Sequence, residues 1–554
     1  MIQFKEIYQK IKAKCGPRSR VRWHSFQHRP RPFTRYSQEQ NLHMDCLSLP
    51  QLITIRQLAT LQLTALMERH SRSAKNGPSG FLGVQKLFKK IKTPEYKGLK
   101  DRQVFNIPLS VIAQRTGHPL PQCILHVMGY LLQQARDSVG LFRKSGVRSR
   151  IEKLKTLCES AKELPQFDPS QAYDVADMLK QFFRELPEPL FTSKLSETFI
   201  SIQLDVPNER KLEAFQDAIL LLPDENREVL QALLHFLHEV ARHAGTNQMN
   251  ASNLAVCFAP SLFQLSPRLM ATSPTRRHKT ISGGLPNERE LRENSAAQNA
   301  FAYMIKEYER LFKVPMSLLE RCDRQILREG VEPSPLSELG LPGGDYRSYL
   351  GDCIASLLKE HRDRWKGWMT EGNMDGVEIT HKKSPDGHPL KLWRCWADVE
   401  APPSEVLQRV LRERDVYDED AISWRVVKEI TENCEVFQYV QNDMPPHPTR
   451  DFCMIRHWRT DVPSLRGGCV LVETSVSLPE DQLRGGVRGL CLASRYLIEP
   501  SGAGKSRITY VARTDTRGRG KQWYSKVFGY VCAKQVAKLR DSFRQTADGP
   551  ETKV

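Results

Sequence analysis

Three segments hold the side chains in this sequence best suited to act on a negatively charged group. Gly140-Leu141-Phe142-Arg143-Lys144-Ser145-Gly146 sets two cations between glycines. Lys180 and Arg184 stand i, i+4, so a helix there puts both on one face, just ahead of Leu186-Pro187-Glu188-Pro189-Leu190. Asn253-Leu254-Ala255-Val256-Cys257-Phe258-Ala259-Pro260-Ser261-Leu262 follows. An arginine presents a planar fork that meets two oxygens at once, and lysine lacks that fork. Taken alone, Arg143 reads as a surface-loop residue, and Lys180 with Arg184 as a solvated basic edge. The signal lies in the order and spacing of the three segments.

The elements that would position these residues are helices. Residues 105–315 carry helical periodicity almost throughout. A helix from Pro121 to Ala135, with its proline at the tolerated first position, ends before the first segment. Gly140 and Gly146 then bracket a loop able to project Arg143, and Arg148 and Arg150 fall on the next helix. Tyr173 to Phe183 reads as a helix stopped by the Leu-Pro-Glu-Pro block. Further helices cover Ala214 to Leu222 and Asn226 to Val240, the latter behind the start signal Pro223-Asp224-Glu225. Asn250 is a candidate helix cap, and Pro260 is expected to end the helix that carries Asn253. Residues 265–298, rich in Ser, Thr, Pro, Gly and charge, predict a disordered insertion in which Thr280 and Ser282 follow basic residues, as phosphorylation sites do.

Together the three segments resemble the RhoGAP domain, the activator of Rho-family GTPases. The resemblance implies an all-α domain over 105–315, with Arg143 as the catalytic arginine finger and Lys180, Arg184 and Asn253 as GTPase-binding residues. It implies an activator that completes a Rho GTPase's active site, not an enzyme with its own substrate. It needs no cofactor of its own, because the GTPase brings GTP and Mg²⁺. Partners of the Rho type are expected first and of the cell-division-control type second. Such a finger speeds hydrolysis about 10³–10⁵-fold, or about 4–7 kcal/mol of barrier.

A linker at 316–339 leads to a region of different character. Tyr346 to Met369 reads as a helix. Residues 374–515 hold short alternating runs such as Lys391-Leu392-Trp393-Arg394-Cys395-Trp396 and Cys469-Val470-Leu471-Val472-Glu473-Thr474, and Val527 to Phe543 reads as a closing helix. Helix, strands, helix is an α+β unit. Asp375-Gly376-Val377, Arg450-Asp451-Phe452, Arg456-His457-Trp458-Arg459, Val487-Arg488-Gly489 and Ile508-Thr509-Tyr510-Val511 before Trp523 resemble the START lipid-binding domain over 340–548. That family grips its C-terminal helix in a curved antiparallel sheet and encloses an apolar cavity for one lipid; an occluded cavity serving as a scaffold is the alternative. The proline that family usually has before the late tryptophan is absent, and Lys521-Gln522-Trp523 stands there. RhoGAP followed by START resembles the deleted-in-liver-cancer (StAR-related RhoGAP) subfamily. The SAM domain and serine-rich region those proteins carry upstream do not appear in the sequence, so a short form is expected. The subfamily implies down-regulation of Rho signalling to the actin cytoskeleton and adhesion. A lipid-transfer or lipid-sensing protein that uses its GAP domain for docking is the second function.

The net charge of +18 is uneven. Residues 1–100 hold twenty Lys/Arg against five Asp/Glu, a local balance of +15. Residues 1–80 are expected to be basic and largely flexible, with short helices, one of them over Pro50 to His70 with Leu52, Leu58, Leu61, Leu63 and Leu66 on an apolar side. Residues 81–104 form a polybasic amphipathic segment, with Val84, Leu87, Phe88 and Ile91 at helical spacing and Lys86, Lys89, Lys90, Lys92 and Lys97 around them. Such a helix lies on an anionic, phosphoinositide-bearing membrane; a helix docked on the next domain is the alternative. Nucleic acid is not expected, since only Phe88 and Tyr96 offer stacking. Neither a secretory leader nor a run of 18 apolar residues is found. The thirteen cysteines include no Cys-x-x-Cys, as in reduced cytosolic proteins. A cytoplasmic protein recruited to the plasma membrane and focal adhesions is expected, with a short tail at 549–554.

Two imitations are set aside. Gly502-Ala503-Gly504-Lys505-Ser506 lacks the first glycine of a P-loop, with Glu499 in its place. His238 and His243 are one residue too far apart to share a helix face with a zinc ion, so metal is not expected.

Overall fold

From Leu49 to His70 the apolar residues recur every three or four positions, and Leu52, Ile55, Ala59, Leu63 and Leu66 are buried. This stripe makes the first helix, α1 (Leu49–His70), part of a core and not part of an arm. The computed structural model describes residues 42–70, 102–160, 164–264, 288–322, 333–341, 344–479 and 482–544. The helical unit continues with α2 (Leu109–Thr116), α3 (Gln122–Gln134), α4 (Arg148–Ser160), α5 (Ala172–Arg184), α6 (Thr192–Asp205), α7 (Asn208–Leu221), α8 (Asp224–Arg242), α9 (Ala251–Phe263), α10 (Glu288–Lys306) and α11 (Met316–Arg321). Residues Asn226 to Leu237 are buried without interruption, so α8 is the central helix. Asp224 and Glu225 in its first turn and Arg242 in its last complement the helix dipole.

The second unit opens with α12 (Tyr346–Arg362) and holds one large sheet. Its strands are β1 (Met369–Met374), β2 (Val377–Lys382), β3 (Leu392–Val399), β4 (Ala421–Thr431), β5 (Cys434–Gln441), β6 (Arg450–Val462), β7 (Gly468–Ser475), β8 (Val487–Arg488), β9 (Leu490–Gly502) and β10 (Lys505–Asp515). The order is β1-β2-β3-β10-β9-β7-β6-β5-β4, antiparallel along this path, with β8 parallel to β6. Helix α13 (Pro403–Arg412) lies between β3 and β4; α14 (Lys521–Lys526) and α15 (Phe528–Asp541) close the unit. Alternation along each strand divides the two faces. Val470, Val472, Leu497 and Val511 pack on α12, while Leu471, Tyr496, Ile498 and Tyr510 pack towards α15.

The two units meet in a buried seam. The loop ahead of α14 donates Gly520 N to Asp224 Oδ2 at 3.0 Å and Gly518 N to Leu47 O at 2.7 Å. Asp224 also holds Arg56 of α1 at 2.9 Å, and Arg227 donates to the Gly518 carbonyl. His447 of the β5–β6 loop lies 3.2 Å from Asp45.

The structure corrects several boundaries. The helix read over Pro50 to His70 is present as α1, but it belongs to the helical domain and not to a flexible region, because its apolar stripe packs in the helical core. The insertion expected to run to 298 gives way to α10 from Glu288, because Ala296 and Ala297 already bury in that core and Arg289 pairs with Glu293 at 2.8 Å. The linker expected from 316 begins with α11, whose Leu318 and Leu319 join the same core. The helix expected to reach Met369 ends at Arg362, where Arg364, Trp365 and Gly367 take positive φ and Met369 opens β1. Pro260 lies inside α9 and does not end it. It displaces one hydrogen bond to a carbonyl four residues back, at Val256, where the helix faces solvent. The segments 81–101, with the five lysines, and 265–287, with Thr280 and Ser282, lie outside the described residues.

Candidate functional site

The chain between α3 and α4 turns twice before it presents Arg143. Gly140 takes φ +75°, which spares a side chain there, and its N–H donates to Asn247 O at 2.8 Å. Phe142 also takes positive φ, 70°, a conformation unfavourable to a bulky residue. It is held there by burial: its ring packs edge-on against Phe236 of α8 and Phe258 of α9, with centroids 5.9 and 4.9 Å away. The buried phenyl turns the next three side chains, Arg143, Lys144 and Ser145, to solvent.

Helix α5 fixes both limbs of this loop. Lys180 Nζ donates to Phe142 O at 2.7 Å. On the other limb Gly146 N donates to Asp177 Oδ2 and Val147 N to Asp174 Oδ1, each at 2.7 Å. Asp177 Oδ1 pairs with Lys180 at 2.6 Å, and Asp174 holds Arg150 Nε at 2.6 Å. Gly146 is required for contact reasons, since a Cβ there would lie 2.7 Å from Asp174 Cα. Lys144 turns away, its ammonium 5.4 Å from the Tyr173 ring centroid.

Asn253 sits in the first turn of α9, where its N–H donates to the cap Asn250 Oδ1 at 2.9 Å and its amide donates to Gln248 O at 2.9 Å. One turn on, Cys257 feels both Lys180 and Arg143; burial nevertheless raises its thiol above the usual range. Arg184 lies exposed one turn beyond Lys180 on α5. The four residues read from the sequence therefore share one face, built from the Arg143 loop, α5 and α9. Arg148 and Arg150 fall on α4, and Asn250 is the cap expected of it.

Sequence reading missed the buried side of this face. Asp174, Asp177 and Lys180 form a polar stripe at spacings of three on a helix whose other side is Val175, Met178, Leu179, Phe182 and Phe183, so that signal was available. Asn247 was not readable. It is fully buried, and its amide bridges Arg136 O at 2.7 Å and Val240 O at 2.9 Å, a link visible only once the chain has folded. Exposed Val139, Val147 and Val256, at 40%, 46% and 53%, add an apolar rim to the cationic face.

A RhoGAP domain model matches residues 121–267, and a START domain model matches residues 348–547. The chain belongs to the proteins in which a RhoGAP domain is followed by a START domain. It is 47% identical over 545 residues to StAR-related lipid transfer protein 13 of Homo sapiens, covering 97% of this chain and 48% of that protein. It is 45% identical over 547 residues to Rho GTPase-activating protein 7 of Rattus norvegicus, covering 98% of this chain and 49% of that one. To StAR-related lipid transfer protein 8 of Homo sapiens it is 43% identical over 545 residues, 97% of this chain and 52% of the relative. The chain thus spans about half the length of these relatives.

The two imitations occupy ordinary structural places. Gly502 to Ser506 forms the hairpin between β9 and β10, where Lys505 pairs with Glu400 at 3.2 Å. His238 donates from Nδ1 to Ile305 O at 3.0 Å, and His243 Nδ1 lies 3.1 Å from Asp137 Oδ1. Among the described residues no group of three or more His, Cys, Asp or Glu could hold a metal, and no helix is long and apolar enough to cross a membrane.

Proposed function

We propose that this chain accelerates GTP hydrolysis by a bound Rho-family GTPase, with Arg143 entering the partner's site as an arginine finger. One observation carries the reading: Arg143 is exposed on a loop pinned at both limbs, beside Lys180 and within an apolar rim. As the γ-phosphoryl group leaves, charge spreads over its oxygens, and a guanidinium fork placed there stabilises it. Lys180 holds the loop, and Arg184 and Asn253 contact the GTPase, which supplies GTP and Mg²⁺. The name of its relative Rho GTPase-activating protein 7 agrees with this activity. The polybasic segment with Lys86, Lys89, Lys90, Lys92 and Lys97 brings the activator to an anionic membrane, so that Rho signalling to actin and adhesion falls there.

The test is single-turnover hydrolysis of GTP on a Rho-type GTPase by the full chain. Arg143→Ala is expected to lose about 10³-fold or more of the stimulation while binding survives. Arg143→Lys is expected to recover little, lacking the fork. A variant without Arg143 that stimulates like the parent sinks the reading.

A lipid role is the second reading, favoured by the START match at 348–547. Against a roomy cavity stands the filling of the sheet face turned towards α15. Tyr496 stacks on Tyr510 at 4.5 Å, Arg414 lies over Tyr439 at 3.8 Å and Arg456 over Phe437 at 3.8 Å.

A further inference from the structure

We propose that Asp177 is a positioning residue for Arg143, with Asp174 as its support; this rests on reading Arg143 as the finger. Helix α5 turns Asp174, Asp177 and Lys180 towards the loop. Lys180 holds one limb through Phe142 O, and the two aspartates hold the other through Gly146 N and Val147 N. Asp177 links the two limbs, because Oδ2 accepts from Gly146 N while Oδ1 holds the ammonium of Lys180 at 2.6 Å. Without that carboxylate, Lys180 loses the charge that aims it at Phe142, and Gly146 N loses its acceptor. The residues between these two anchors are Arg143, Lys144 and Ser145, so slack in either limb moves the guanidinium.

Asp177 is also the informative position to change. Its side chain is 18% exposed, so a substitution there is tolerated by the core. Asp174 is 1% exposed and holds Arg150 of α4 as well, so its loss disturbs two helices at once.

A displacement of about 1 Å at a reacting centre costs on the order of 10²-fold in rate. For Asp177→Ala the expected result is a fall in kcat of about 10–100-fold, with KM within about twofold, in single-turnover assays of the full chain with a GTP-loaded Rho-type GTPase. Asp177→Asn keeps an acceptor for Gly146 N and drops the charge beside Lys180, so it should recover part of the loss. The deciding measurement is the pair with Arg143→Ala. If Asp177 acts only through Arg143, the double variant is no slower than Arg143→Ala alone. An undiminished kcat in Asp177→Ala, a rise in KM alone, or a double variant slower by the full product of the two losses would overturn the assignment. Full stimulation by Arg143→Ala would instead remove the reading beneath it.

Discussion

Arg519 forks onto Glu228 across the seam between the two domains, Nε to Oε1 at 2.9 Å and Nη2 to Oε2 at 3.4 Å. The same Nη2 lies 3.2 Å from both oxygens of Asp443, and the guanidinium sits over Trp523 at 4.4 Å. The three charged side chains are 8%, 4% and 3% exposed. Two carboxylates hold the arginine firmly charged in spite of its burial. Glu228 stands near the start of α8, whereas the Arg143 loop packs through Phe142 on Phe236, about 12 Å further along the helix at about 1.5 Å per residue, and through Gly140 on Asn247 past its end. The START domain therefore docks at the opposite end of the central helix from the cationic face.

Arg519→Ala would leave two buried carboxylates facing each other without their cation. Breaking a buried pair from one side costs about 3–5 kcal/mol. Urea unfolding of the full chain should show that loss. A change below about 1 kcal/mol would mean that water reaches the seam and that the domains are only tethered.

Asp217 of α7 gives a pH-dependent prediction. It is fully buried, its Oδ2 accepts from Gln62 at 3.0 Å, and burial pushes its pKa up to about 8. Below about pH 4 the carboxyl is protonated in both folded and unfolded chains. As pH rises from there to about 8, the unfolded chain releases the proton and the folded chain keeps it, so stability falls across that window. Asp217→Asn removes this effect. It should stabilise the protein at about pH 7 by about 1–4 kcal/mol, at about 1.4 kcal/mol per pH unit, with the gain vanishing towards pH 4. Denaturant midpoints of the two proteins at several pH values decide it, and a gain that does not vary with pH rules out a protonated Asp217.

The cationic face was legible because its residues sit in contiguous motifs, and Lys180 with Arg184 obey helix spacing. The START sheet was legible from short strand-like runs: Leu392 to Val399 alternates in burial, while Cys469 to Thr474 is buried on both faces. What escaped were features set by tertiary burial. Helix α1 reads as an apolar helix, yet only its packing shows that it belongs to the helical core. Pro260 is an ordinary helix stop by local rule, and α9 overrides it because Leu262 and Phe263 beyond it are buried. Asn247, Arg519 and Glu228 act between segments far apart in sequence, so no local pattern marks them.

Helix α15 presses on the sheet at one contact that can be tested by size. Trp393 is 1% exposed, and a Cβ on Gly529 would lie 2.3 Å from its Cε3. Cys395, two residues on along β3, donates its thiol to Gly529 O at 3.6 Å, so the helix backbone has little room to retreat. Gly529→Ala should cost about 1–3 kcal/mol, the usual range for overpacking. Trp393→Phe opens space at the same point, so the two changes should couple, the double variant being more stable than the sum of the singles predicts. Strict additivity in urea unfolding would show that α15 does not bear on Trp393 and that the space between α15 and the START sheet is wider than the packing of Tyr496, Tyr510 and Trp393 implies.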